Sequence, residues 1–386
     1  MLREAGLKSD TYIDYQDLDD KVLELLQQKE PETDPVINEK LEKELYPEVR
    51  SFILENTELN KDSCVALLKT SSAFNLRNLP DCAKSADGYN LLVNLKTIND
   101  TLMINELFVS INKKLAPKGV FVGCVETYPL RKRRLLNKYW KGFNYLYYFF
   151  DYIFKRVFPK VVLLDKFYFF ITAGRNRAIS ETEALGRLNY SGFTVINTLV
   201  HKNYMYFVTQ KVNEVVAVKE KSYGIFLKLP RKGKGGKTIY VNKFRTMFPY
   251  AEYVQDYVYK KNQLSEGGKF RNDFRVSLLG SYFRKFFIDE LPMLLNLLNG
   301  DLKLVGVRPL SNHYFGLYSE ELQEKRIKHK PGLIPPYYVD LPKTLEEIQA
   351  SEMRYLEAYE KSPIKTDVKY FFLVFKNILF KKARSK

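Results

Sequence analysis

The feature that most constrains the fold is a change of hydrophobic period near residue 61. Before it, apolar residues recur at helical spacing among acids (Val22, Leu23, Leu25, Leu26; then Leu41, Leu45, Val49, Phe52, Ile53), and the two sets are parted by EPETDP. That pattern predicts two helices and a loop. After it come the short apolar runs SCVALL, YNLLVNL and GVFVGCVE, and later FTVINTLV and MYFVTQKV, with a helical pattern near 100–115. Strands interleaved with a helix predict an α/β layer.

The chain has 386 residues, 45% of them hydrophobic, enough for more than one core. The polar stretch VNEVVAVKEKSYG (212–224) is the best boundary. The predicted organisation is an acidic helical region (1–60), an α/β domain (61–215) and a C-terminal α+β domain (216–386), for a mixed α+β chain overall. Cys64, Cys82 and Cys124 are widely spaced and suit neither a disulfide framework nor a zinc site, so three reduced thiols are expected. The acidic N-terminus has no apolar core of a secretory signal, which points to the cytoplasm.

Charge is unevenly spread. Of the net +17, residues 1–130 carry about −7, 131–210 about +10 and 211–386 about +14, a bias toward a polyanionic partner: nucleic acid, anionic lipid or a phosphorylated substrate. Nucleic acid is disfavoured because the aromatic residues sit in long apolar segments, not in a stacking-sheet motif. Two such segments stand out, GFNYLYYFFDYIFKRVFPKVVLLDKFYFFITAG after the cluster RKRR (131–134), and VKYFFLVFKNILFKKARSK at the C-terminal end. Each is interrupted by charge too often to span a bilayer. They fit either a membrane surface, aromatic rings buried and cations at phosphates, or aromatic core helices with snorkelling cations.

The chemistry concentrates after residue 222. Gly233, Gly235 and Gly236 between IFLKL and TIYVNKF predict a β-hairpin with a basic tip, whose second strand carries Lys243 and Arg245 two residues apart, on one face. Paired cations there suit a diphosphate, or merely a solvated strand face. NDFRVSLLGSYFRKFFIDELP then supplies Arg275 and Arg284 ahead of the acidic pair Asp289 and Glu290, and GDLKLVGVRP brings Arg308 and Pro309. Asp289 precedes the helical run ELPMLLNLLNG, so one reading makes it an N-cap. The other makes the two carboxylates among cations a phosphoryl-transfer site, one acid holding a divalent metal and the other attacking phosphorus. His201, His313 and His329 are isolated and are assigned no catalysis.

The ordered motifs KFRTM (243–247), LGSYFRKFFIDELPMLLNLLNGDLKLVGVRPL (279–310) and KHKPGL (328–333) resemble the bacterial sugar transferases, the monotopic polyprenyl-phosphate phosphoglycosyl transferases that begin surface-polysaccharide or glycoconjugate assembly. The resemblance covers about 222–386. It implies that Asp289 attacks the β-phosphate of a UDP-sugar, releasing UMP and forming a covalent phosphosugar that polyprenyl phosphate then accepts. It implies Glu290 as the Mg²⁺ ligand, Arg308 and Pro309 as the nucleotide-side Arg-Pro motif, and Lys243 and Arg245 as the basic strand by the active site, with Arg275 and Arg284 as further phosphate-binding candidates. The expected location is the cytoplasmic face of a bacterial inner membrane, held peripherally or monotopically, with a homodimer or an anchoring partner left open.

The sequence departs from that pattern in three places. Where the family carries an apolar re-entrant helix, this chain reads VINTLVHKNYMYFVTQKVNEVVAVKEK. Gly-Pro-Arg-Pro has become Gly306-Val307-Arg308-Pro309, and IPPYYVDLPKTLEEIQASEMRYLEAYEKSP follows KPGL in place of the common ending. The 61–210 region resembles the back half of a class I methyltransferase but lacks its glycine-rich cofactor turn, so a docking or regulatory role is expected there. The alternative for the whole chain is a non-catalytic membrane-surface scaffold that keeps a transferase-like domain.

Overall fold

The computed structural model describes residues 41–60, 62–82, 85–160, 164–215, 223–262, 264–265, 269–270 and 273–380. The first predicted helix, within 10–30, lies outside them. The chain divides into two compact units near residue 220, and the architecture is mixed α and β.

Unit 1 is built on a five-stranded sheet in the order β1-β2-β3-β5-β4. Its strands are β1 (Val65–Leu68), β2 (Tyr89–Asn94), β3 (Leu115–Val125), β4 (Phe193–His201) and β5 (Tyr204–Lys211). β1, β2 and β3 run parallel, while β5 pairs antiparallel with both β3 and β4. Parallel neighbours need a crossover, and helix α2 (Ile104–Lys114) supplies it between β2 and β3. Alternate side chains go to opposite faces: Leu91, Val93, Val122 and Cys124 pack with Phe52 and Ile53 of helix α1 (Pro47–Glu55), while Phe121 meets the rings of Phe108, Phe193 and Phe207 at 5.6–5.9 Å. Both faces are covered, which is why these strands read as nearly continuous apolar runs.

One correction arises here. Cys64 and Cys82 form a disulfide, their Cα atoms 6.2 Å apart, where three reduced thiols were expected. The cause is topological: Cys64 precedes β1 and Cys82 lies before β2, and adjacent parallel strands begin at the same edge of the sheet. Cys124 is free and buried, and burial pushes its thiol up to about 12. Further on, the expected strands FTVINTLV and MYFVTQKV form β4 and β5 of this sheet, where the resemblance would place a re-entrant helix. Among the described residues no helix is long and apolar enough to cross a membrane.

After β3, unit 1 carries helix α3 (Tyr128–Lys138), helix α4 (Phe143–Tyr152) and helix α5 (Leu164–Thr172). These are the aromatic-basic segment of the sequence.

Unit 2 opens with the predicted hairpin, β6 (Phe226–Lys232) against β7 (Thr238–Phe244). Gly235 and Gly236 turn its tip at φ +68° and +73°, a region closed to most side chains. Helix α6 (Leu278–Lys285) and helix α7 (Met293–Leu298) follow, then a parallel pair, β8 (Lys303–Val305) with β9 (Gly332–Ile334), and helices α8 (Glu320–Lys328), α9 (Leu345–Lys361) and α10 (Pro363–Phe380). The β8–β9 end is joined by glycine: a Cβ on Gly332 would lie 2.1 Å from the Gly306 nitrogen, so KPGL and VGVRP meet backbone to backbone. Val305, Val307, Leu310, Leu322, Tyr355 and Leu356 form the main core of this unit. α10 is tied in through Asn377, whose amide donates to the Tyr338 and Val339 carbonyls at 3.0 and 2.8 Å.

Candidate active site

Asp289 and Glu290 sit in a short 3₁₀ turn, Ile288–Glu290, between α6 and α7. The turn is entered through Phe287 at φ +59°, an uncommon value for a non-glycine residue. The Phe287 ring packs edge-on against Tyr338 at 5.7 Å, which holds it there. Both ends of the turn are fastened, one to strand β7 and one to the segment that follows it. On the α6 side, Ser277 caps the helix by accepting from the Gly280 amide at 2.9 Å and donates to the Thr246 carbonyl at 3.1 Å. Gly280 allows this, because a Cβ there would stand 2.0 Å from that carbonyl oxygen. On the α7 side, buried Asn296 donates to the Tyr240 carbonyl at 2.7 Å and accepts from the Asn242 amide at 2.9 Å. The acidic turn is therefore clamped from both flanks, against β7 on the α7 side and against the chain just past β7 on the α6 side.

The N-cap reading of Asp289 is not what the structure contains. α7 begins at Met293, its N-cap position is Pro292 and no side chain caps it. Asp289 is 7% exposed, and its Oδ1 is buried with no hydrogen-bond partner. An unpaired buried carboxylate oxygen is costly unless something else requires it. Burial, then the neighbouring Glu290 charge, pushes the Asp289 carboxyl above the usual carboxylate range, and Lys243 and Arg284 only partly oppose this.

Glu290, by comparison, is engaged by two cations. Its Oε1 takes Lys243 Nζ at 2.6 Å and Arg308 Nη2 at 3.3 Å. Burial holds Lys243 below the usual ammonium range although Glu290 favours its charge. Arg308 is half-buried and its Nη1 donates to the Tyr337 hydroxyl at 2.7 Å. Tyr337, with Glu290, raises Arg308 above the ordinary guanidinium range against its burial. Behind it, Arg326 Nη2 donates to the Arg308 carbonyl at 2.5 Å and its Nη1 pairs with buried Glu352. Pro309 is buried directly after Arg308.

Of the predicted site residues, the structure thus gathers Asp289, Glu290, Lys243 and Arg308, with Arg284 near enough for its charge to act on Asp289. Arg284 Nε also donates to Thr246 Oγ1 at 3.0 Å. The other two cations are differently disposed. Arg245 lies just past the end of β7, its Nε donating to the Gly224 carbonyl at 3.0 Å and its guanidinium 4.8 Å from the Tyr223 ring centre. Arg275 makes a two-pronged contact with Asp273 at 2.7 and 2.8 Å. Sequence reasoning missed Asn296, Tyr337, Arg326 and Glu352. An asparagine inside MLLNLL is a signal for a buried polar clamp, whereas Arg326 and Glu352 lie in charge-dense runs that give none.

A carboxylate pair beside a largely buried lysine and a half-buried arginine is suited to phosphoryl chemistry: cations to hold phosphate oxygens and one oxygen with no competing hydrogen bond. The donor set also fits Mg²⁺, which takes one or two carboxylates and fills its shell with phosphate oxygens and water. Among the described residues no group of three or more His, Cys, Asp and Glu is assembled to hold a metal alone, so such an ion would be completed by the substrate.

Around this polar centre the surface is apolar. Phe286 and Leu291, on either side of the acidic turn, are 57% and 53% exposed, and Leu278, Leu279, Leu294, Leu295 and Leu298 are exposed along α6 and α7.

Residues 195–381 match the model of the bacterial sugar transferase family. The chain is 40% identical over 109 residues to the sugar transferase EpsL of Bacillus subtilis, covering 28% of this chain and 48% of that one. It is 32% identical over 123 residues to the UDP-glucose:undecaprenyl-phosphate glucose-1-phosphate transferase of Xanthomonas campestris, covering 31% and 23%. The match therefore spans half or less of these relatives' lengths. A structural comparison pairs the chain with an S-adenosylmethionine dependent methyltransferase from Mesorhizobium loti at 10% identity and a TM-score of 0.21, over 35% of this chain and 66% of that one, a likeness too low to argue from.

Proposed function

Taking residues 195–381 as a member of the bacterial sugar transferase family, we propose that unit 2 transfers a sugar 1-phosphate from a UDP-sugar to polyprenyl phosphate through a covalent bond to Asp289. The observation that carries this is the contrast within the acidic pair: Glu290 is neutralised by Lys243 and Arg308, while Asp289 Oδ1 is buried and has no hydrogen bond. A carboxylate oxygen that carries no hydrogen bond is a better nucleophile than a solvated one.

In the first step Asp289 Oδ1 bonds to the β-phosphorus, and the bond from that phosphorus to the oxygen bridging the two phosphates breaks, releasing UMP. In the second, an oxygen of polyprenyl phosphate bonds to the same phosphorus and the Asp289 carboxylate leaves. Lys243 and Arg308 face the diphosphate and offset its charge, Arg308 on the nucleotide side with Pro309 stiffening the chain behind it. Mg²⁺ held by Glu290 with the donor's phosphates would supply further neutralisation as charge builds on the leaving oxygen. Arg284 balances Asp289, and Arg245 and Arg275 serve the surrounding loops. The apolar residues of α6 and α7 around this centre suit a lipid acceptor presented at a cytoplasmic membrane face.

The relative from Xanthomonas campestris, named for glucose-1-phosphate transfer from UDP-glucose to undecaprenyl phosphate, supports the reading. The test is UMP release from a panel of UDP-sugars with Mg²⁺ and polyprenyl phosphate in detergent. Metal-dependent release by the parent protein and none by Asp289→Asn is expected. UDP-sugar binding without release by either would overturn the reading in favour of a scaffold.

A further inference from the structure

Outside the candidate active site, the most unusual surface lies in unit 1. Helices normally turn apolar residues inward and charge outward. α4 does the reverse. Asn144 is buried, and its one acid, Asp151, points inward to a two-pronged contact with Arg131 at 2.6 and 2.7 Å. Its outer surface carries Phe143, Leu146, Phe149 and Phe150, all at least 40% exposed. α5 repeats the arrangement: Tyr168 is buried and donates to the Arg175 carbonyl at 3.1 Å, while Phe167, Phe170 and Ile171 face outward, Phe170 at 88% exposure. Apolar side chains of this size, 40–88% uncovered, amount together to on the order of 1,000 Å² of apolar surface, against the few hundred Å² normal for a soluble monomer.

The charge around this surface is predominantly positive. Between residues 127 and 180 the chain has twelve lysines and arginines against two acids, Asp151 and Asp165. Asp151 is consumed internally, so Lys132, Lys138, Lys141 and Lys166 remain exposed around the rings. Lys132 lies 5.6 Å from the Tyr148 ring centre and Lys138 5.5 Å from that of Tyr139, cations at the edge of the aromatic field. A second copy of the chain is a poor occupant, because a two-fold contact would set this basic rim against itself. An anionic bilayer satisfies both parts at once, rings at the acyl boundary and ammonium groups at phosphates.

We propose that α4 and α5 form a docking surface for anionic membranes, inserted from one side and belonging to unit 1 itself. The proposal goes beyond the transferase reading of unit 2 and does not depend on turnover there.

The chain carries its own reporter. Trp140, its single tryptophan, is 74% exposed and stacks on Phe143 at 5.8 Å. Full-length protein is titrated with vesicles of phosphatidylethanolamine and phosphatidylglycerol, and with neutral phosphatidylcholine vesicles, while Trp140 emission and co-sedimentation are followed. The expected result is a blue shift with anionic vesicles and quenching by brominated acyl chains. Changing Phe143, Phe150, Phe167 and Phe170 together to Ser lowers partitioning at least about tenfold, and Lys132→Glu with Lys138→Glu and Lys141→Glu lowers it for anionic vesicles only. Trp140 emission that stays unshifted while the protein sediments with vesicles would overturn the proposal. So would a blue shift that appears on concentrating the protein without lipid, which would assign the surface to self-association.

Discussion

Lys243 Nζ stands 2.6 Å from Glu290 Oε1, the shorter of two cation contacts on that oxygen, and both partners are largely buried. Strand β7 thereby delivers its charge to the turn next to Asp289. Removing the ammonium leaves Glu290 to Arg308 alone and strips a cation from the phosphate side. Lys243→Met should lower kcat/KM for UMP release by about 100-fold or more. Thermal unfolding of the same variant separates this loss from misfolding.

Asp289→Asn should stabilise the protein at neutral pH while abolishing turnover. The Asp289 carboxyl is raised by burial and by Glu290, so the folded state favours its protonated form. That preference costs nothing below the ordinary aspartate range, where the group is neutral folded or unfolded. It destabilises increasingly as pH rises through the raised value. The variant's gain in Tm over the parent should therefore be present at pH 7 and shrink toward pH 3. In the parent, the acid limb of the pH–rate profile should fall above the usual carboxylate range, because the attacking group must be deprotonated.

Arg326 and Glu352 form a pair with side chains 5% and 0% exposed, and Arg326 also supports the backbone of Arg308. Glu352→Ala leaves a buried guanidinium without its counter-ion and should cost about 3–5 kcal/mol, read as a lowered Tm. Glu352→Gln, which keeps an acceptor, should cost less.

Gly332→Ala tests the backbone contact between β8 and β9. The added methyl would meet the Gly306 nitrogen at 2.1 Å, and neither backbone can yield without moving Arg308. A loss of about 1–3 kcal/mol is expected, measured by denaturant unfolding, together with reduced activity.

Tyr337→Phe removes only the hydroxyl that accepts from Arg308 at 2.7 Å. Stability should change by about 1 kcal/mol or less, while KM for the UDP-sugar rises several-fold as the guanidinium loses its orientation.

Much of this was legible in the sequence because the relevant signals are local. Short apolar runs gave β2 and β3, and glycines between two strand-like runs gave the β6–β7 hairpin. The gathering of Asp289, Glu290, Lys243 and Arg308 came from a resemblance and from charge density. What was not legible depends on tertiary proximity. Cys64 and Cys82 meet only because β1 and β2 are neighbours. Lys243 and Arg245, two apart, were expected to act together, but the strand ends at Phe244 and Arg245 turns to Gly224. Asp289 had the sequence setting of a cap, and the 3₁₀ turn, with Pro292 at the start of α7, takes it out of that role.

The central claim is that Asp289 becomes covalently bonded to phosphorus. The most direct measurement is intact-protein mass spectrometry after incubation with a UDP-sugar and Mg²⁺ but no lipid acceptor, followed by peptide mapping. The account predicts a mass increase of one sugar phosphate on the peptide containing Asp289, discharged by polyprenyl phosphate and absent from Asp289→Asn. UMP release with no adduct at any stage, or an adduct on another residue, would contradict it.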